Sequence, residues 1–137
     1  MDGVRWSDSV RFSNADVRAT VPEAAGVYLL GCITPDDPVK KCCYFVGHAS
    51  NLREELHRQL RTPENFCIKT HFFMFDNFVI WLQVEDESDR LSIAEYLYWH
   101  FNEPFCNKPT NAARQVSAEV PDDWKPFKAL RKWAAGL

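Results

Sequence analysis

The chain has 137 residues, of which 46% are hydrophobic, 14% aromatic and 26% charged. This is the size and composition of one globular domain, and it excludes a fibrous or intrinsically disordered chain. The net charge is −3, and residues 22–110 alone carry eight basic and thirteen acidic groups. That acidic balance is unfavourable for strong, sequence-independent binding of phosphates, which depends on clustered lysine and arginine.

The five cysteines are odd in number and include no Cys-x-x-Cys pair. Neither a disulfide framework nor a zinc site is therefore expected, and reduced thiols in a cytoplasmic protein are the simplest interpretation. The N-terminus lacks the apolar run of a signal peptide, and no segment is long and apolar enough to span a bilayer. The sequence thus predicts a soluble intracellular protein with no membrane partner.

After an N-terminal extension of residues 1–21, the chain predicts a β-hairpin followed by a helix. Residues 26–33 (GVYLLGCI) are rich in β-forming side chains, and a turn separates them from a second strand at 40–47 (KKCCYFVG). The helix begins at Ser50 or Asn51, since both are good N-cap residues. Its buried side is indicated by leucines four residues apart, Leu52, Leu56 and Leu60.

A third strand and a second helix complete the predicted domain. Residues 78–85 (FVIWLQVE) predict the strand, and the helix from Ser88 continues until the NEP segment at 102–104. Residues 22–110 therefore have the order β-β-α-β-α, which indicates a mixed α/β (α+β) domain.

Residues 111–137 predict a polar linker and a C-terminal amphipathic helix that starts at residue 123. Two interpretations of this helix stay open. In the first, the helix packs against the domain through its aromatic residues, and its basic residues are solvated. In the second, those basic residues bind nucleic acid or another partner. The basic residues concerned are Lys125, Lys128, Arg131 and Lys132.

Three segments of the domain, VPEAAGVYLL, CYFVGHASNLREEL and AEYLYWHFNEPFCN, carry a family pattern. Together they resemble the signature blocks of the GIY-YIG nuclease family, and most of all the N-terminal incision domain of the bacterial excinucleases of nucleotide-excision repair. The spacing makes the match specific, because Glu95 is followed nine positions later by Pro104 and twelve later by Asn107. The resemblance covers residues 22–109.

This resemblance implies a three-stranded antiparallel sheet flanked by helices, with the catalytic groups on one face. In active members one divalent ion, Mg²⁺ or Mn²⁺, binds a helix glutamate, which here is Glu95. Tyrosines from the two signature strands help to activate water, and the first of these is Tyr28. A helix arginine holds the phosphate.

Two positions of the implied catalytic signature are altered. The second tyrosine falls on Phe45, which has no hydroxyl, and the arginine falls on Glu55, whose charge is opposite. Loss of one such preorganised donor typically slows a reaction by about 10²–10³-fold. Arg58, one helical turn from Glu55, and His48 are the residues that could substitute. Tyr44 is expected to point to the opposite face from Phe45 unless a bulge shifts the strand.

Two functions remain open from the sequence. The favoured interpretation is a domain with a degenerate nuclease site that binds nucleic acid or a protein partner without catalysis. The alternative is an active metal-dependent DNA endonuclease, whose rearranged site uses Tyr28, His48, Arg58 and Glu95. Glu95 lies on the apolar side of its helix, where a carboxylate needs a metal ion, solvent or a hydrogen-bond partner such as Tyr28 or His48.

Overall fold

The computed structural model describes residues 5–35, 37–61, 67–69, 75–101, 106 and 118–126, with the backbone alone at residues 37 and 38. The strands in these ranges are β1 (Val10–Arg11), β2 (Gly26–Thr34), β3 (Asp37–Ala49), β4 (Asp76–Gln83) and β5 (Trp124–Pro126). The helices are α1 (Asn14–Thr20), α2 (Leu52–Arg61) and α3 (Glu87–His100), and residues 67–69 are helical as well. The predicted mixed α/β class is confirmed.

All five strands belong to one sheet with the order β1-β4-β2-β3-β5. The predicted hairpin and the predicted third strand form the inner strands β4, β2 and β3, which pair antiparallel. The sheet nevertheless has more strands than the three that the sequence predicts. A short β1 pairs antiparallel with β4, opposing Val10 and Val79, and β5 runs parallel to β3, opposing Trp124 and Lys41. Segments on both sides of residues 22–110 therefore complete the sheet.

Strand β5 also corrects the predicted start of the C-terminal helix. Trp124 is 4% exposed and packs over Gly31, where a Cβ atom would lie only 2.8 Å from Cη2 of the indole. The amide of Lys41 donates to the carbonyl oxygen of Asp123 at 2.8 Å, which aligns the segment with β3. Packing and pairing thus favour a strand at residues 124–126, whatever the local helical pattern. The predicted helix beyond residue 126 lies outside the described residues.

The alternating side chains of β2 divide the core between the two faces of the sheet. Tyr28 and Leu30 belong to the cluster that includes α1 and α2, whereas Val27 and Leu29 belong to the cluster that includes α3. The helices contribute apolar residues about one turn apart: Leu52 and Leu56 from α2, and Ile93, Ala94 and Leu97 from α3. Consequently α2 and α3, the two helices with predicted site residues, pack on opposite faces.

Local capping accounts for where the two longer helices begin. The side chain of Asn51 accepts a hydrogen bond from the amide of Glu54 at 3.1 Å, as the sequence predicts. Asp86 caps α3 by accepting from the amide of Asp89 at 2.9 Å, so α3 begins one residue before the predicted start. No helix in the described part of the chain is both long and apolar enough to cross a membrane.

One disulfide contradicts the expectation of reduced thiols. Cys67 and Cys106 are bonded, with their Cα atoms 5.3 Å apart and a sequence separation of 39 residues. Spacing within the sequence does not reveal such a pair, because the fold brings the two positions together. The remaining cysteines form no disulfide and are buried, as expected for reduced thiols: Cys32, Cys42 and Cys43.

Candidate functional site

A groove at the end of β3 and the start of α2 brings several predicted site residues together. Its volume is about 250 Å³, and we call it the β3–α2 groove. Three of its lining residues, His48, Glu55 and Arg58, are sequence-predicted positions. The other lining residues are Ala49, Ser50, Asn51 and Glu54.

Glu55 occupies the centre of the hydrogen-bond network in this groove. Arg58 donates to Oε1 of Glu55 from Nε at 2.8 Å and from Nη2 at 2.7 Å. The hydroxyl of Tyr28 donates to Oε2 of the same carboxylate at 3.3 Å. The residue that stands in the implied phosphate-binding position therefore pairs with the signature tyrosine and with the arginine that could otherwise contact a phosphate.

Tyr28 is held as a neutral phenol. Its side chain is 1% exposed, and its ring lies against Phe45, with the ring centroids 5.9 Å apart. Burial, and secondly the negative charge of Glu55, raise the pKa of the Tyr28 hydroxyl far above its usual value. A hydroxyl that stays protonated can donate a hydrogen bond to Glu55 but cannot accept a proton from water as a phenolate would.

β3 contains a β-bulge, which is the condition under which Tyr44 is expected to face the same side as Phe45. β2 pairs with Phe45 and then with Cys43, so Tyr44 is the extra residue of β3. Tyr44 and Phe45 both pack in the core cluster that contains Tyr28. The hydroxyl of Tyr44 donates to Oδ1 of Asn77 on β4. Tyr44 is thus on the expected catalytic face, yet its hydroxyl is used in the core.

Glu95, the predicted metal ligand, is not among the residues that line the β3–α2 groove. Its Oε1 accepts a hydrogen bond from Nε1 of Trp99 at 2.9 Å, and α3, which carries it, packs on the opposite face of the sheet from Tyr28. Among the described residues, no group of three or more His, Cys, Asp or Glu is placed to hold a metal ion. The resemblance implies a single protein carboxylate at the metal ion, so the metal-binding role of Glu95 stays a prediction, and we derive no catalytic step through a metal ion.

Arg90 is a contributor to the site that the sequence did not reveal. It is 8% exposed and donates from Nη1 to the carbonyl oxygen of Glu85 at 2.7 Å. Partial desolvation, and secondly the charge of Arg90, lower the pKa of the solvent-exposed His48, against the opposing effect of Glu55 and Glu87. An arginine within a helical pattern resembles a solvated residue, and only tertiary packing reveals that Arg90 is buried near His48.

The lowered pKa of His48 predicts a loss of stability in mild acid. Below about pH 6.5, the ordinary value for histidine, the unfolded chain takes up the proton before the folded chain does. Above that pH both forms are neutral, and His48 adds no pH dependence. Urea unfolding measured between about pH 7.5 and pH 5.5 should therefore show a steeper loss of stability for the wild type than for His48→Gln. Equal slopes for the two proteins would contradict this prediction.

Little of the predicted basic surface can be placed. Lys125 lies in β5, opposite Cys42 of β3, and its side chain is half-buried. The other three predicted positions, Lys128, Arg131 and Lys132, lie outside the described residues. Asn107 and Pro104, which contribute to the family spacing, lie outside them as well.

The resemblance to GIY-YIG nucleases rests on the sequence motifs. A mixed α/β sheet is compatible with that family but is shared by many other folds, and a fold does not by itself define an activity. No protein-family model matches the chain, and no curated protein or solved structure matches it either.

Proposed function

We propose that this chain is a non-catalytic nucleic-acid-binding domain with a GIY-YIG-like arrangement of its signature segments. The observation that supports this most directly is the carboxylate of Glu55, which accepts hydrogen bonds from both Arg58 and Tyr28. Cleavage of a phosphodiester requires groups that stabilise additional negative charge at phosphorus. A carboxylate in that position repels the charge, so hydrolysis is disfavoured at this groove.

Two further features support the absence of catalysis. Tyr28 is a buried phenol whose raised pKa keeps it protonated, and Phe45 has no group that can transfer a proton. Glu95 would hold the divalent ion in an active relative. Here it accepts a hydrogen bond from Trp99, and α3, which carries both residues, packs on the face of the sheet opposite Tyr28. The groups needed for cleavage are thus altered or apart from one another.

Arg58 can still bind a phosphate. Its side chain is 39% exposed, and that of Glu55 is 22% exposed. Ion pairs at this exposure stabilise a protein by only about 1 kcal/mol or less, because water screens them. A phosphate can therefore compete with Glu55 for the guanidinium. Since the whole chain carries a net charge of −3, such binding should be weak and sensitive to salt.

The position and the lowered pKa of His48 favour the alternative, an active endonuclease with a rearranged site. His48 lines the same groove as Arg58, and its lowered pKa keeps the imidazole neutral, as a general base must be. In that case cleavage would require a divalent ion and would depend on Tyr28 and Glu95. A non-catalytic domain needs neither the ion nor those side chains.

The test combines cleavage and binding in the same preparation. Purified protein incubated with supercoiled DNA and Mg²⁺ or Mn²⁺ should leave the DNA intact. Fluorescence anisotropy with labelled oligonucleotides should show binding that a chelator does not change. Metal-dependent nicking that disappears in both Glu95→Ala and Tyr28→Phe would establish the endonuclease instead. Binding to a basic protein but to no nucleic acid would favour a protein-interaction domain.

Glu55→Gln provides a matched variant for the binding part of this test. The substitution keeps the size of the side chain and removes the charge that repels phosphate and holds Arg58. Affinity for an oligonucleotide at low salt should therefore rise by roughly 3- to 10-fold, and Arg58→Ala should lower it. An affinity that is unchanged in both variants would mean that the β3–α2 groove does not contact the nucleic acid.

A further inference from the structure

A second groove separates α1 from α2 on the outer side of the domain. Its volume is about 450 Å³, and we call it the α1–α2 groove. The N-terminal extension contributes Arg18 to it, and α2 contributes Arg53, His57 and Arg61. We infer that the α1–α2 groove binds the phosphate backbone of a nucleic-acid strand, an inference that rests on the proposed nucleic-acid-binding function.

Arg53 is fixed in the orientation that a binding site requires. Its Nε donates to the carbonyl oxygen of Val21, the residue that caps α1, at 2.7 Å. Nη1 of Arg53 lies 3.9 Å from Oε1 of Glu23. A guanidinium has five N–H donors, so anchoring through Nε leaves the outer edge of Arg53 able to donate to a phosphate.

Arg18 and Arg61 face the groove from different helices and carry uncompensated charge. Both side chains are exposed, and neither forms an ion pair or hydrogen bond with another of the described residues. Arginine donates two parallel hydrogen bonds to phosphate oxygens, which suits it to this ligand. Two arginines on opposite walls of a groove can therefore contact a strand that lies between α1 and α2.

The spacing along α2 favours a ligand with several phosphates over a single anion. Arg53, His57 and Arg61 follow one another at intervals of four residues and thus lie along one side of the helix. Each interval corresponds to a rise of about 6 Å, comparable to the separation of successive phosphates along a nucleic-acid strand. Nδ1 of His57 lies 3.2 Å from Oδ1 of Asn14 on α1, an oxygen that can only accept. His57 therefore donates from Nδ1 in this contact, which connects the two walls of the groove, and the phosphate contacts on this side of α2 come from Arg53 and Arg61.

The two grooves lie on either side of the same helix. Glu54 lines both of them, so α2 forms the ridge between Arg58 in one groove and Arg53 in the other. A strand that crosses this ridge meets cations on both sides. The carboxylates of Glu23 and Glu54 reduce the net positive charge of the α1–α2 groove, which keeps the binding weak enough to be reversible by salt.

The experiment compares two double variants that remove the same charge. Arg18→Ala/Arg61→Ala removes two cations of the α1–α2 groove, and Arg5→Ala/Lys40→Ala removes two exposed cations that line neither groove. Binding of a labelled single-stranded oligonucleotide is measured by fluorescence anisotropy over a series of salt concentrations. The groove variant should lose roughly 10-fold in affinity at low salt, and its salt slope should become shallower by about 1.4, or about 0.7 for each lost phosphate contact. The control variant should keep the wild-type slope.

A variant that is expected to bind more tightly controls for a loss of binding caused by misfolding. Glu23→Gln removes the carboxylate beside Arg53 and should tighten binding. If the wild type binds the oligonucleotide but the groove and control variants behave alike, the α1–α2 groove is not the binding site, while the proposed function stands. If the wild type binds neither single-stranded nor duplex nucleic acid at low salt, both the proposed function and this inference are wrong.

Discussion

Gly47→Val is expected to lower the free energy of unfolding by about 3 kcal/mol. Gly47 lies opposite Tyr28 in the ladder between β2 and β3, and a Cβ atom on it would lie 2.6 Å from Cε1 of the tyrosine ring. The ring has no room to move, since it packs against Phe45 and its hydroxyl is bonded to Glu55. An added side chain must therefore displace a buried ring or the strand itself.

Urea unfolding of four proteins tests whether the tyrosine ring is the cause. These are the wild type, Gly47→Val, Tyr28→Leu and the double variant. A smaller leucine leaves space over residue 47, so valine should cost much less in the Tyr28→Leu background. An equal cost in both backgrounds would show that the ring is not what excludes a side chain at this position.

Loss of the Cys67–Cys106 disulfide is expected to lower the free energy of unfolding by about 4 kcal/mol. The bond closes a loop of 39 residues, and opening it increases the conformational entropy of the unfolded chain. For a domain of ordinary stability, a loss of this size is a large fraction of the total.

Unfolding of the wild type with and without a reductant measures the contribution of this bond. The matched control is Cys67→Ser/Cys106→Ser, which should have the stability of the reduced wild type and should not respond to the reductant. Alkylation of five free thiols in the non-reduced protein, after unfolding, would contradict the prediction directly. Three alkylated thiols are expected, from Cys32, Cys42 and Cys43.

The fold was predictable wherever a strong local pattern determines the element. β2, β4 and α2 occupy nearly the predicted segments, because runs of β-forming residues and an Asn51 cap act over a few neighbouring residues. β1 and β5 contain only two and three residues and exist through pairing with distant strands, so periodicity cannot reveal them. The C-terminal prediction fails at Trp124 for the same reason, since its site over Gly31 is made by tertiary packing.

The β3–α2 groove was predictable in part. Angular positions on a helix place Arg58 near Glu55 and place Arg53 on the other side of α2, and the structure has both arrangements. The ion pair between Glu55 and Arg58 follows from the same spacing. The bulge at Tyr44 and the burial of Arg90 depend on contacts between distant segments, for which the sequence contains no local signal.

Because of the bulge at Tyr44, the side chains of β3 that point to a given face of the sheet are even-numbered in one part of the strand and odd-numbered in the other. Before the bulge, even-numbered residues such as Cys42 and Tyr44 point to the α1 and α2 side, and after it odd-numbered residues such as Phe45 and Ala49 do so. Tyr44 is itself fully buried and its hydroxyl is bonded to Asn77, so deletion of Tyr44 would remove core packing together with the bulge. Without the bulge, either Cys42 and Tyr44 or Phe45 and Ala49 would point to the opposite face of the sheet, so the bulge is what lets both pairs pack on the side of Tyr28.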